Sequence, residues 1–206
     1  MRAILASVFA LFCMGQAYAA DLTVRVTDPA GAGVANAVVT FTPAGAPAAP
    51  FRFSWPYQIA QRDLAFDPYI LIVPVGATVR FPNLDRVRHH VYSFSEGNRF
   101  ELELFGRDET RSHRFATAGV AAVGCNIHDS MQAYIVVVET PFVGRTTNTG
   151  TVTISGVSGA GELRVWQPNL RARGGFVSRT ITVPNAGAAQ EAFSVQIRPA
   201  AAGHPH

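Results

Sequence analysis

The sequence predicts an all-β protein. Three observations carry that prediction. Short runs alternate apolar and polar side chains, 18 Gly and 13 Pro punctuate them, and no Leu/Glu/Lys-rich stretch has helical periodicity. The 206 residues suit one large or two small domains, and a 48% hydrophobic, 15% charged composition excludes a disordered or fibrous chain.

Residues 1–20 read as an export signal. Arg2 provides the positive start, 4–14 form a short apolar run, and Ala17-Tyr18-Ala19 supplies the small-x-small pattern before cleavage. The run is shorter than the ~20 residues of a membrane span, and Phe12 before Cys13 is wrong for a lipobox. A periplasmic or secreted protein without a membrane span is expected. Residues 21–45 then read as a first hairpin, with strands at 22–27 and 34–41 around the turn Asp28-Pro29-Ala30-Gly31. Residues 46–57 are an Ala/Pro/Gly-rich linker followed by an aromatic stretch, Phe51 to Tyr57, to which no element is assigned.

Within 58–140, strands are expected at 70–73, 78–81, 89–94, 101–105, 111–116, 120–123 and 134–139. This spacing suits an antiparallel sandwich or barrel. After Pro141 the texture becomes richer in Thr and Gly, with strands expected at 151–154, 162–166, 180–183 and 192–197. Residues 200–206 read as a disordered tail.

All 17 cationic side chains are Arg, and the formal net charge of +3 is dispersed along the chain. Nucleic-acid binding wants basic residues clustered on one face, so it is not expected. The absence of Lys excludes Schiff-base and P-loop chemistry.

Removal of the signal takes Cys13, Met1 and Met14 with it. The remaining sulfur is Cys125 and Met131, both in Gly124-Cys125-Asn126-Ile127-His128-Asp129-Ser130-Met131. An unpaired thiol in an oxidising compartment needs protection, and a metal provides it. Thiolate, imidazole and thioether together select copper or another soft ion. A second imidazole is available in Asn83-Leu84-Asp85-Arg86-Val87-Arg88-His89-His90-Val91. A His2Cys plane with a weak axial Met is the ligand set of a blue-copper electron-transfer site. A tight loop bearing three ligands keeps reorganisation small when the metal changes oxidation state.

The stretch Phe81-Pro82-Asn83 through His89-His90-Val91, with Cys125-x-x-His128-x-x-Met131, resembles the cupredoxins, the plastocyanin- and amicyanin-like blue copper proteins. The wording "GCNIHDSMQAYIVVVETP" is similar to bacterial proteins labelled methylamine-utilisation or plastocyanin-like. The resemblance covers 58–141 and implies a Greek-key β-sandwich with one type 1 copper at one end. Counted from Asn83, it makes His89, Cys125, His128 and Met131 the metal ligands, with His90 at a position where the family often has Asn. Strand alternation puts His89 and His90 on opposite faces, so only one can face the metal. His89 is the expected ligand and His90 the alternative; His90 is otherwise expected to tie the two ligand loops through a ring N–H. Residues 22–43 and 145–166 resemble the opening and closing parts of a carboxypeptidase-regulatory-like or Cna-B-like, Ig-like β-sandwich. That implies a copper domain inserted into, or packed with, a second small sandwich at 21–45 and 141–199.

Each ligand type has a plainer reading: a lone buried Cys or Met is usually packing. His113 reads as part of a solvated polar strand, and His204 and His206 as tail residues. A Cys125–His128 nucleophile pair lacks an oxyanion site, so no enzymatic activity is expected. The expected function is single-electron transfer between redox partners, such as a cytochrome c or a dehydrogenase. The alternative is copper binding and delivery without electron transfer. Arg86 and Arg88 precede His89 and offer a charged docking edge, or two solvated charges.

Overall fold

A computed structural model describes residues 19–45 and 50–198. The expectations for the signal, for part of the linker (46–49) and for the tail, with His204 and His206, lie outside the described residues.

The described residues form strands β1 (Ala20–Thr27), β2 (Val38–Pro43), β3 (Ala60–Arg62), β4 (Ala65–Asp67), β5 (Ile70–Pro74), β6 (Thr78–Pro82), β7 (His89–Ser93) and β8 (Phe100–Phe105). They continue with β9 (Thr110–Arg114), β10 (Gly119–Cys125), β11 (Gln132–Val138), β12 (Val143–Arg145), β13 (Thr151–Val157), β14 (Gly159–Trp166), β15 (Phe176–Val183) and β16 (Gly187–Ser194). One 3-10 turn, Arg173–Gly175, is the only helical element among them. The all-β expectation holds.

The central sheet runs β5-β11-β10-β7-β8. It packs on the β3–β4 and β6–β9 pairs through a core that includes Phe81, Phe105, Phe115, Val91, Cys125 and Met131. In β5 every residue is buried, because alternate side chains serve two cores. Leu71 and Val73 enter the first core, while Ile70 and Ile72 face the other way. β11 divides likewise, with Ile135 and Val137 on one side and Val136 and Val138 on the other. A continuous apolar run is the sequence signature of a strand covered on both faces.

The outward residues of β5 and β11 meet Val38, Val143, Trp166 and the aromatic stretch left unassigned above. Phe53 stacks on Trp55 at 4.4 Å and Phe51 meets Phe53 edge-on at 5.4 Å. That stretch fills the seam between the central sheet and the flanking strands.

The flanking strands make two further sheets, β13-β1-β16 and β12-β2-β14-β15, enclosing Leu22, Val24, Phe41, Ile154 and Leu163. Residues 20–43 therefore pair with strands after Pro141. The expected hairpin is corrected. The Asp28 turn closes a local bridge between Thr27 and Gly33, and Val34 N–H donates to Val26 O at 2.9 Å. Beyond it the chain turns at Asn36 (φ 59°), and β2 enters the other sheet. Two close approaches hold this arch. A Cβ on Gly33 would lie 2.3 Å from the Thr149 carbonyl, and Thr146 Oγ1 accepts from Ala37 N–H at 2.9 Å.

Three short strands, β3, β4 and β12, carry too few residues to show alternation, and none was expected. The last strand is Gly187–Ser194 rather than 192–197, because its parallel register with β1 extends across the small residues Gly187 to Ala189.

Candidate metal centre

His89 opens β7, Cys125 ends β10, and the loop after Cys125 returns through His128 to Met131 just before β11. β7 and β10 pair antiparallel, with Cys125 opposite Val91. That register puts the imidazole and thiol of two separate strands at one end of the sheet. Asn126 N–H donates to His90 O at 3.2 Å, and Met131 N–H donates to His128 O at 2.9 Å. The first bond ties the ligand loops together, and the second closes the six-residue return.

Cys125 Sγ lies 3.7 Å from His89 Nδ1 and 3.6 Å from His128 Nδ1. The three ligand atoms all fall within 4.8 Å of one another. His89 is fully buried, Cys125 and Met131 are each 2% exposed, and His128 is half-buried. The imidazole rings approach at 5.0 Å with a 57° tilt. They converge on one point rather than stack.

Those spacings test whether a metal fits. Ligands ~2.0 Å (nitrogen) and ~2.3 Å (sulfur) from a shared first-row ion, at angles between tetrahedral and trigonal, stand ~3.5–3.8 Å apart. The observed separations fall in that range, and the donors suit a soft ion.

The charge state of His89 suits a ligand. Burial pushes its pKa below the ordinary value and outweighs the opposing pull of Asp85; His128 adds to the lowering. The neutral ring donates Nε2–H to Asp85 Oδ2 at 2.8 Å, which leaves the Nδ1 lone pair facing Cys125.

Asp85 was not singled out in the sequence, and it organises the site. Its carboxylate also accepts Asp63 N–H at 2.6 Å and Leu64 N–H at 3.2 Å. Asp63 and Leu64 form the β3–β4 turn with φ of 53° and 58°, so both amides point outward on one side. Buried Asn83 sets the loop beneath: its side-chain amide donates to Val87 O and Phe105 O, and its Oδ1 accepts from Asp85 N–H. The visible clue was a carboxylate four residues before the histidine; the turn that clasps it lies 22 residues away.

The other candidates separate clearly. The ring of His90 turns from Cys125, and its Nε2 pairs with Glu101 at 2.8 Å. It does not tie the ligand loops; the backbone bond from Asn126 does. His113 is not simply solvated: it stacks on Phe100 at 4.5 Å and meets Phe115 edge-on at 4.9 Å. Arg86 and Arg88 are exposed, with Arg88 donating to Leu104 O at 3.0 Å. Tyr92 packs over Gly124, where a Cβ would stand 3.0 Å from the phenol ring. Phe94 is 64% exposed.

No protein-family model matches the chain, and no curated protein matches it. Several solved structures are similar to part of it. A copper-containing nitrite reductase from Thermus scotoductus SA-01 is 25% identical, with 48% of this chain aligned to 26% of that one at a TM-score of 0.40. The match thus spans about a quarter of the reductase. A purple cupredoxin from Nitrosopumilus maritimus is 25% identical over 39% of this chain and 98% of its own, at a TM-score of 0.37. A reduced amicyanin variant is 20% identical over 48% of this chain and 98% of its own, at a TM-score of 0.38.

Proposed function

We propose that the chain is a type 1 copper protein carrying single electrons between redox partners. The observation behind this reading is the convergence of His89 Nδ1, Cys125 Sγ and His128 Nδ1 within 4.8 Å of one another, in a largely buried pocket. Met131, buried in the same core as Cys125, would complete the set of residues that hold the ion. Bound copper supplies a one-electron couple.

The protein's part is to hold the donors still and keep bulk water out. Asp85 fixes the His89 tautomer, the β7–β10 ladder fixes Cys125, and the short return to Met131 leaves the loop little slack. His128, the least buried of the three converging residues, would offer the electron its way to the surface. Leu64, Leu84, Val87 and Ile127 are 40–49% exposed. These belong to the ligand loops and the turn that clasps them, and they offer a partner an apolar contact edged by Arg86 and Arg88. A cytochrome c or a dehydrogenase is the partner class in this reading.

The domain reading follows the strand pairing: a copper unit at 58–140, inserted into a sandwich made by 21–45 and 141–199. Residues 1–20 support export to the periplasm or beyond; no described helix is long and apolar enough to cross a membrane. Cyclic voltammetry of the copper-loaded protein tests the electron-transfer role. Reversible one-electron cycling without copper loss supports it, whereas copper release on each reduction would favour a delivery role.

A further inference from the structure

A cavity of about 550 Å3 opens between the two sandwiches, at the end of β10 and β11 away from the metal ligands. None of the four ligands lines it. Gly119, at its edge, lies six residues up β10 from Cys125, a distance of ~20 Å at ~3.3 Å per residue. Its floor is aliphatic, built by Val120, Val136 and Val138 of the central sheet. Its far wall is aromatic, built by Trp166 and Phe176 of the flanking strands. This volume lies within the ~300–1,000 Å3 range of small-molecule sites.

The rim carries charge of one sign in excess. Glu96, Glu139, Glu162 and Arg164 line it. Arg164 donates to Glu162 at 2.9 Å and lays its guanidinium 4.0 Å over the Phe176 ring. Among the described residues, Glu96 and Glu139 receive no hydrogen bond and no ion pair. The chain as a whole is cationic, with a formal charge of +3, so the acidic rim is a local departure.

We propose that this cleft binds a small organic ammonium ion with an apolar body. The valine floor and Trp166 take the body, and Glu96 and Glu139 take the ammonium head. An anion meets two uncompensated carboxylates and is repelled. A neutral apolar guest leaves both carboxylates partly dehydrated and unpaired, which costs free energy. A hydrated metal ion gains nothing from valine and indole.

The test titrates the isotope-labelled full chain with n-hexylammonium chloride and follows the two tryptophan indole N–H signals by NMR. Trp166 lines the cleft, while Trp55 donates to Ile72 O elsewhere and serves as the internal control. The Trp166 signal should move while that of Trp55 stays. Affinity should fall by about tenfold or more in Glu96→Gln/Glu139→Gln, and n-hexanol should bind about tenfold more weakly than the ammonium. Both glutamates are exposed, so the double variant keeps the fold, checked by its unfolding midpoint. An unmoved Trp166 signal, equal affinity in the double variant, or equal binding of n-hexanol would each overturn the proposal.

Discussion

The two sandwiches bury different chemistry. The flanking core is mainly aliphatic, with Phe41 and Phe193 as its buried aromatics, and the buried polar side chains at its edge, Thr140 and Thr146, bond to backbone carbonyls at 2.7 Å. The site sandwich buries Gln61, Asn83, His89, Ser93 and Asn98. Within it, Gln61 Oε1, His90 Nδ1 and both amide atoms of Asn98 have no hydrogen-bond partner. An unsatisfied buried polar group costs ~1–3 kcal/mol. The sandwich that holds the candidate ligands thus buries polar groups of a kind that the flanking core keeps to its edge. The outward faces of β5 and β11 join the site core to the flanking strands.

Substitutions in the two cores should then have opposite signatures. Cys125→Ser should have the largest effect on the metal: Cu(II) affinity should fall about a thousandfold or more. The metal-free fold should lose only ~1–3 kcal/mol, the cost of placing a hydroxyl where a buried thiol packs. Competition with a chelator and urea unfolding measure the two quantities. Phe41→Ala, in the fully buried flanking core, should do the reverse. Its expected cost is ~3–5 kcal/mol of stability, with copper affinity unchanged at temperatures where the fold persists. Affinity falling in parallel with stability would show the cores to be one energetic unit.

Asp85→Asn sharpens the comparison inside the site sandwich. Loss of the carboxylate frees the His89 tautomer and the Asp63–Leu64 turn, and a supporting group of this kind is worth ~10–100-fold in metal affinity. The expected loss falls within that range, with a changed reduction potential as the accompanying signature. An unchanged potential would reduce Asp85 to a loop anchor.

The smallest effect is on pH dependence. Burial lowers the pKa of His89 and of His113. Below about pH 6.5 the unfolded chain therefore binds more protons at these rings than the folded one. Stability of the metal-free protein should rise with pH through that range and be lost as pH falls towards the depressed folded values. His113→Phe keeps a ring on Phe100 and removes one titrating group, so the slope between pH 5 and 7 in urea midpoints should flatten.

The candidate ligands could be picked out in the sequence because they combine rare residue types with tight spacing, and His89, Cys125 and His128 do converge. Cys125, His128 and Met131 share one loop, and His89 sits a fixed distance after Asn83. Strand alternation separated His89 from His90, and the structure places them on the faces that rule demands. Asp85 was hidden, since a carboxylate in a loop shows nothing until a turn 22 residues away meets it in space. The β1–β2 hairpin misled for a related reason. Its turn residues are those of a hairpin, while the switch between sheets depends on Gly33 and Thr146 packing across the fold. His113 was misread because a strand of polar residues gives no hint that Phe100 supplies a stacking surface.

His89, Cys125, His128 and Met131 should together make one copper site of thiolate character. A visible spectrum of the full-length protein with one equivalent of Cu(II) tests it most directly. An intense thiolate-to-copper charge-transfer band, absent in Cys125→Ser, is expected. A folded protein with all four side chains intact and no such band would contradict it.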